Sequence, residues 1–129
     1  MEIDHYFTNI AQNHNSKVDQ VIYEDLNGTV GIAYKNPETG RYTISIDRRK
    51  IPCLIMMLFI FYHELGHIVL YHLGYRHRIV RDLDKEEEVD RWAFVKIGLL
   101  NDEGQIKQGW QTCYKCIKTR SPHCLKVKY

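Results

Sequence analysis

The stretch Cys53-Leu54-Ile55-Met56-Met57-Leu58-Phe59-Ile60-Phe61-Tyr62-His63-Glu64-Leu65-Gly66-His67-Ile68-Val69-Leu70 decides how this chain is read. Its first ten residues carry no charge, and it continues into two imidazoles four positions apart with a carboxylate beside the first. A run so apolar on every side is predicted to form a helix buried at the centre of a small domain. On a helix, residues i and i+4 stack on one face, so His63 and His67 can reach a single Zn²⁺. Glu64 lies about 100° round the helix from His63, beside the ligand face, where it can act on a water at the metal. Histidines and a glutamate in such apolar surroundings are costly to bury unless partnered, and metal ligation supplies partners. Pro52 in the first turn and Gly74 at the end give an expected active helix over 52–73.

A catalytic zinc takes a third protein ligand and keeps one position open. The next helix signal begins at Asp84, expected as an N-cap with Glu87 completing a capping box. Glu86 and Asp90 then stand one turn apart, close to the stripe of Ala93, Phe94 and Ile97. An acidic pair on a core-facing stripe calls for a cation opposite. Glu86 is therefore assigned as the third metal ligand, and Asp90 as the acceptor for the outer N–H of a ligand histidine, His63. An error of one residue in helix phase would pass the ligand role to Glu87. Otherwise Glu87 and Glu88 only meet the positive end of the helix dipole.

Upstream, residues 6–13 carry apolar side chains at the spacing of one helical face. Residues 18–23, 29–34 and 41–47 are rich in β-branched and aromatic types, and are separated by Asn27-Gly28 and by the turn at 36–40. The expected fold is α+β and compact: a small three-stranded antiparallel sheet packed on the buried active-site helix and on a second, ligand-bearing helix.

Several segments in this order resemble the ImmA/IrrE-type metallopeptidases: Gly31-Ile32-Ala33-Tyr34, Asn36-Pro37-Glu38-Thr39-Gly40, Tyr42-Thr43-Ile44-Ser45-Ile46-Asp47, residues 63–70 and residues 86–99. The resemblance covers about residues 20–100. It implies a zincin-like domain with zinc on His63, His67 and Glu86, the last from a Glu-x-x-Ala-Asn/Asp pattern that reads Glu86-Glu87-Glu88-Val89-Asp90 here. Val89 departs from the usual alanine. The histidine that many members carry four residues past the motif is Tyr71 here, with His72 following. The resemblance also implies a sheet edge that holds an extended peptide by main-chain bonds, for which residues 41–47 are the candidate. The implied activity is a zinc-dependent endopeptidase that cleaves a helix-turn-helix transcriptional repressor, in the manner of derepression systems of phages and mobile elements. In that chemistry zinc lowers the pKa of a water from about 16 to about 7 and polarises the scissile carbonyl, while Glu64 takes the water's proton. Tyr71, Tyr75 and His77, which follow the active helix, are candidates for stabilising the oxyanion. A second reading, from another class, is a metal-containing protein that binds and sequesters a transcription regulator without proteolysis.

The chain has 129 residues, 44% of them hydrophobic, enough for a single domain over 1–129 with a basic, cysteine-containing segment at 101–129. Met1-Glu2-Ile3-Asp4-His5 lacks the basic start and apolar stretch of a signal peptide, so a cytoplasmic protein is expected. A membrane span is not expected, because His63 interrupts the apolar run after ten residues and a span needs about 20. Lys107, Lys115, Lys118, Arg120, Lys126 and Lys128 make the final segment cationic, but a net charge of +2 and the lack of a recognised motif give no basis for direct nucleic-acid binding. A solvated basic surface facing an acidic partner is the expectation. Cys113-x-x-Cys116 has a zinc-gripping spacing, and Cys124 could add a third thiolate to a second, structural Zn²⁺. His123 adjoins Cys124, and side chains on adjacent residues tend to diverge, so packed or free thiols are the favoured alternative, with a redox pair the third.

Overall fold

Helix α2 (Leu54–Val69) is the axis of the molecule, and Phe59, Phe61, Leu65 and Ile68 are at most 1% exposed along it. The computed structural model describes residues 2–70 and 83–119. The remaining elements, in chain order, are β1 (Glu2–Ile3), α1 (His5–His14), β2 (Val18–Tyr23), β3 (Gly31–Lys35), β4 (Tyr42–Ile46), a 3₁₀ turn (Arg48–Lys50), and, after α2, α3 (Leu83–Lys96) and α4 (Gln111–Thr119). The sheet covers one side of α2, and α3 and α4 pack against it as well. Aromatic stacking joins these layers: Phe7 of α1 lies on Phe61 at 4.3 Å, Phe59 on Phe94 of α3 at 4.6 Å, and Phe94 on Tyr114 of α4 at 4.6 Å. Among the described residues no helix is long and apolar enough to cross a membrane.

The α+β class is as expected, but the sheet is four-stranded and mixed, in the order β1-β2-β4-β3. β1 pairs antiparallel with β2, β2 parallel with β4, and β3 antiparallel with β4. Two residues of β1 are too few to show alternation. The parallel pair arises because the β3–β4 hairpin folds back, seating β4 beside β2. This also overturns the expected edge. β4 is an interior strand, with Ile44, Ser45 and Ile46 wholly buried, and β3 is the edge.

Local chemistry explains the element ends. The Asp4 carboxylate caps α1 by accepting from the Phe7 N–H at 2.7 Å. At α2 the N-cap is Cys53, without a side-chain cap bond, so Pro52 precedes the helix instead of sitting in its first turn. α3 includes both Leu83 and Asp84, so Asp84 lies inside the helix and is not its N-cap. The expected end of the active helix at Gly74 and the connection over 75–83 fall largely outside the described residues. In the final segment, α4 turns Cys116 and Ile117 into the core, so this part is no solvated tail.

The loop before β3 is held by Asp47, which is 1% exposed. Its carboxylate accepts from the Leu26 N–H at 3.0 Å and from the Arg49 guanidinium at 3.1 and 3.2 Å. Its own N–H donates to the Val30 carbonyl at 2.8 Å, and the Lys50 ammonium donates to the Leu26 and Thr29 carbonyls. Arg49 first, then the Leu26 amide, hold the Asp47 carboxyl well below the usual carboxylate range. A carboxylate depressed by folding stabilises fully above its unfolded pKa of about 4, and that contribution is lost as pH falls through its folded value. Asp47→Asn is therefore expected to lower the melting temperature at pH 7 and to flatten the loss of stability on acidification below pH of about 4. Thermal melts of both proteins across the acid range test this, and parallel curves would overturn it.

Candidate metal centre

His63 and His67 both leave α2 toward α3, one turn apart, with ring centroids 4.9 Å apart and planes at 83°. Glu86, in the second turn of α3, meets them both. Its Oε2 lies 3.0 Å from His63 Nε2 and its Oε1 lies 3.4 Å from His67 Nε2. One ligand atom from each of the three residues falls within 4.8 Å of the others, a group that could hold a metal ion. Among the described residues no other such group of histidine, cysteine or carboxylate side chains occurs. Tetrahedral bonds of about 2.0–2.1 Å place ligand atoms about 3.3 Å apart, close to the two distances from Glu86 to the imidazoles. Glu86 fills the expected third position. Glu87 points away, with a side chain 75% exposed that pairs with Lys118 at 3.4 Å.

Asp90, one turn along α3, accepts from His63 Nδ1 at 2.8 Å. That bond fixes the ring and aims Nε2 at Glu86. The Asp90 carboxylate also meets the Lys118 ammonium of α4 at 3.4 Å, a contact absent from the sequence reading. With a carboxylate at each ring nitrogen, His63 sits where positive charge is favoured. Burial pulls its pKa down, but Asp90 and Glu86 outweigh it and push it up to about 10. The same two imidazoles hold the Glu86 carboxyl well below the usual range. Positive charge is thus favoured at His63, and the three side chains together could hold a cation.

Glu64 is 7% exposed and stands beside the triad on the sheet side. Burial pushes its carboxyl pKa up, while His63, His67 and the Ala33 backbone N–H of β3 counter it. The approach of β3 depends on a missing side chain. A Cβ at Gly31 would lie 2.8 Å from Ile60 Cγ2 and 3.2 Å from Glu64 Cγ, so glycine lets the edge strand lie on Glu64. Neither Gly31 nor the Ala33 amide was foreseen as part of the site.

Gly66 does the same for α3. A Cβ there would fall 2.2 Å from Val89 Cγ2 and 3.0 Å from the Trp92 ring, so this glycine between His63 and His67 sets how near Glu86 can come. Gly66→Ala gains about 1 kcal/mol of helix propensity but forces α3 outward, and overpacking costs about 1–3 kcal/mol. The expected result is lower thermal stability together with weaker metal binding, read by melting and by competition with a chelator. Unchanged metal affinity would show that α3 does not move.

The cysteines lie away from this centre. Cys53 and Cys116 are buried in the core and Cys113 packs against the core, none of the three in a disulfide. Burial first, then the neighbouring Cys53 and Cys116, push the Cys113 thiol up, which keeps it protonated. Cys124 lies outside the described residues, as do Tyr71, His72, Tyr75 and His77. Comparison of the chain and its structure with protein-family models, curated proteins and solved structures gave no match.

Proposed function

We propose that the protein is a zinc-dependent endopeptidase of the ImmA/IrrE type, with a zincin-like site, that hydrolyses a peptide bond in a cognate helix-turn-helix repressor. The observation that carries this reading is the convergence of His63, His67 and Glu86 with a buried fourth side chain, Glu64, between them and the edge strand β3. Two imidazoles and one carboxylate are a zinc hydrolase's ligand set, and they leave a coordination position open. Zinc bound there would supply an acidified water and a Lewis acid for the scissile carbonyl. Asp90 keeps His63 in the tautomer that presents Nε2. Glu64, its pKa raised by burial, takes a proton and returns it to the leaving amine.

The substrate's main chain would bind β3 as an added strand. The hydrogen bonds Asn36 N–H to Arg41 C=O and Asp47 N–H to Val30 C=O fix which groups of β3 face β4. By alternation, the main-chain groups of Ile32 and Tyr34 face inward and those of Gly31 and Ala33 face the edge beside Glu64, where the Gly31 carbonyl accepts from Thr29 Oγ1 and the Ala33 N–H donates to Glu64, so an added strand would have to exchange with both bonds. An extended peptide paired there brings its carbonyls past the triad. A repressor substrate places the reaction in the cytoplasm and requires neither membrane nor direct nucleic-acid contact.

The test is a defined mixture of the zinc-loaded protein and a candidate helix-turn-helix repressor, followed by mass spectrometry of fragments. Cleavage that a chelator stops and zinc restores is the expected result. An intact repressor that nevertheless stays bound and inactive would replace proteolysis with sequestration.

A further inference from the structure

The turn that follows α3 is fixed by its own hydrogen bonds. The Asn101 carboxamide oxygen accepts from the Glu103 and Gln105 N–H groups at 3.0 and 2.9 Å, and the Gly104 N–H donates to the Asn101 carbonyl at 2.9 Å. Leu100 bridges Ile106 across its base. Between this turn, α3 and α4 lies a cavity of about 520 Å³, a size that suits a small molecule. Its floor is apolar, made by the buried Phe94 and Leu100 and by the ring of Tyr114, which lies on Phe94. Its charges are of both signs. Glu87 and Lys118 pair with each other at 3.4 Å. Arg91 and Glu103 are exposed there, and among the described residues neither has an ion pair or a side-chain hydrogen bond. The Arg91 guanidinium rests on the turn. A Cβ at Gly104, whose φ is +84°, would lie 3.0 Å from Arg91 Nη2, 3.2 Å from Cζ and 3.4 Å from Nε. Since Cζ is no farther than Nε, the flat face of the guanidinium covers Gly104 and its N–H edge stays open.

We infer that this cavity binds a free α-amino acid with a large apolar side chain, its carboxylate on Arg91, its ammonium on Glu103 and its side chain on Phe94, Leu100 and Tyr114. None of the three triad residues lines the cavity, and the inference does not rest on the peptidase reading. A guanidinium with an open N–H edge takes a carboxylate through two parallel hydrogen bonds. Glu103 adjoins Gly104, on which Arg91 rests, so the two opposite charges stand on one side of the cavity. They do not pair with each other, and a ligand that carries both signs satisfies both. A simple anion would meet the carboxylates of Glu87, Glu88 and Glu103, which also line the cavity, with nothing to offset the repulsion. A simple cation would face Arg91. A zwitterion avoids both costs. The floor then selects among amino acids, because only a large apolar side chain removes its surface from water. Gly104 keeps the arrangement possible, since a side chain there would push Arg91 away.

The experiment measures binding, not turnover. The ¹⁵N-labelled full chain, as purified, is titrated with phenylalanine, with its amide, which lacks the carboxylate, with its N-acetyl derivative, which lacks the ammonium, and with glycine, which lacks the side chain. The expected result is that amides of residues 100–106 and of α4 shift, and that phenylalanine binds about twofold to fivefold more tightly than each of the other three. Arg91→Met is expected to abolish the preference for phenylalanine over its amide while keeping the preference over the N-acetyl derivative. Glu103→Gln is expected to do the reverse. Both side chains are exposed, so both variants should melt with wild type. Arg91→Lys, which keeps the charge without the two-pronged edge, should retain part of the preference. Shifts that map elsewhere, a titration that does not saturate, equal binding of glycine, or a ranking that neither variant alters would each overturn the inference. Repressor cleavage is scored in its own assay, and neither its presence nor its absence changes this ranking.

Discussion

Glu64→Gln is expected to leave zinc uptake and peptide binding near wild type while lowering peptide cleavage by about 10²-fold to 10⁴-fold. The amide keeps the size of the carboxylate and its ability to accept from the Ala33 N–H, so β3 stays seated on α2. What it loses is basicity. Glu64 is not among the three residues that group as metal ligands, and its 7% exposure leaves little room for water to substitute as a base. Burial also raises the cost of its charge, and an amide does not bear that cost, so the variant is expected to be at least as stable as wild type. Loss of cleavage with a melting temperature equal to or above wild type is thus the specific signature. If Glu64→Gln relieves repression in cells as well as wild type does, cleavage is not the mechanism and sequestration takes its place.

The candidate metal centre was legible in the sequence because it is built from helical periodicity. Spacing of four aligned His63 with His67, and the same spacing aligned Glu86 with Asp90, so two local repeats on two helices specified four side chains. Their meeting needed one further fact, the packing of α2 on α3, and that fact was encoded more quietly. Gly66 sits between the histidines as an unremarked gap, and only the close approach of Val89 and Trp92 reveals its purpose.

The sheet was legible as strands but not as an order. Each strand's alternation is local, whereas β4's place between β2 and β3 depends on pairings far apart in the chain. One clue was available. Tyr42-Thr43-Ile44-Ser45-Ile46-Asp47 has small or compact polar residues on its outer side, as suits a strand flanked on both edges. In α4, attention to Cys113 and Cys116 as ligands hid an apolar stripe of Cys113, Cys116 and Ile117 spaced for one helical face. Buried thiols behave as small hydrophobes, and two of these three positions are core. Lys118 reaches Asp90 because that stripe anchors α4, a tertiary consequence that no window of sequence could show.

Metal binding separates the roles of the four centre residues. One equivalent of zinc is expected to bind wild-type protein at the triad, with His63→Ala, His67→Ala and Glu86→Ala each removing most of the affinity. Each deletes one of three ligand atoms that lie within 4.8 Å of one another, and two protein donors are fewer than a catalytic zinc site uses. Asp90→Ala should weaken binding by about 10-fold to 100-fold, on the order of 1.4–2.7 kcal/mol, because the ligand atoms survive and only the orientation of His63 is lost. Glu87→Ala should change little, since that side chain is exposed and turned toward Lys118. Competition against a chromogenic chelator measures all five variants on one scale, with elemental analysis fixing the stoichiometry. His63 adds a pH signature. Its imidazole, pushed up to about 10 between two carboxylates, carries a proton on Nε2 that zinc must displace, so uptake should release protons at neutral pH and weaken as pH falls. The ordering of Glu86 above Asp90 above Glu87 is the decisive result. A large loss in Glu87→Ala with none in Glu86→Ala would mean that α3 presents a different face to α2 than the contacts at Gly66 require.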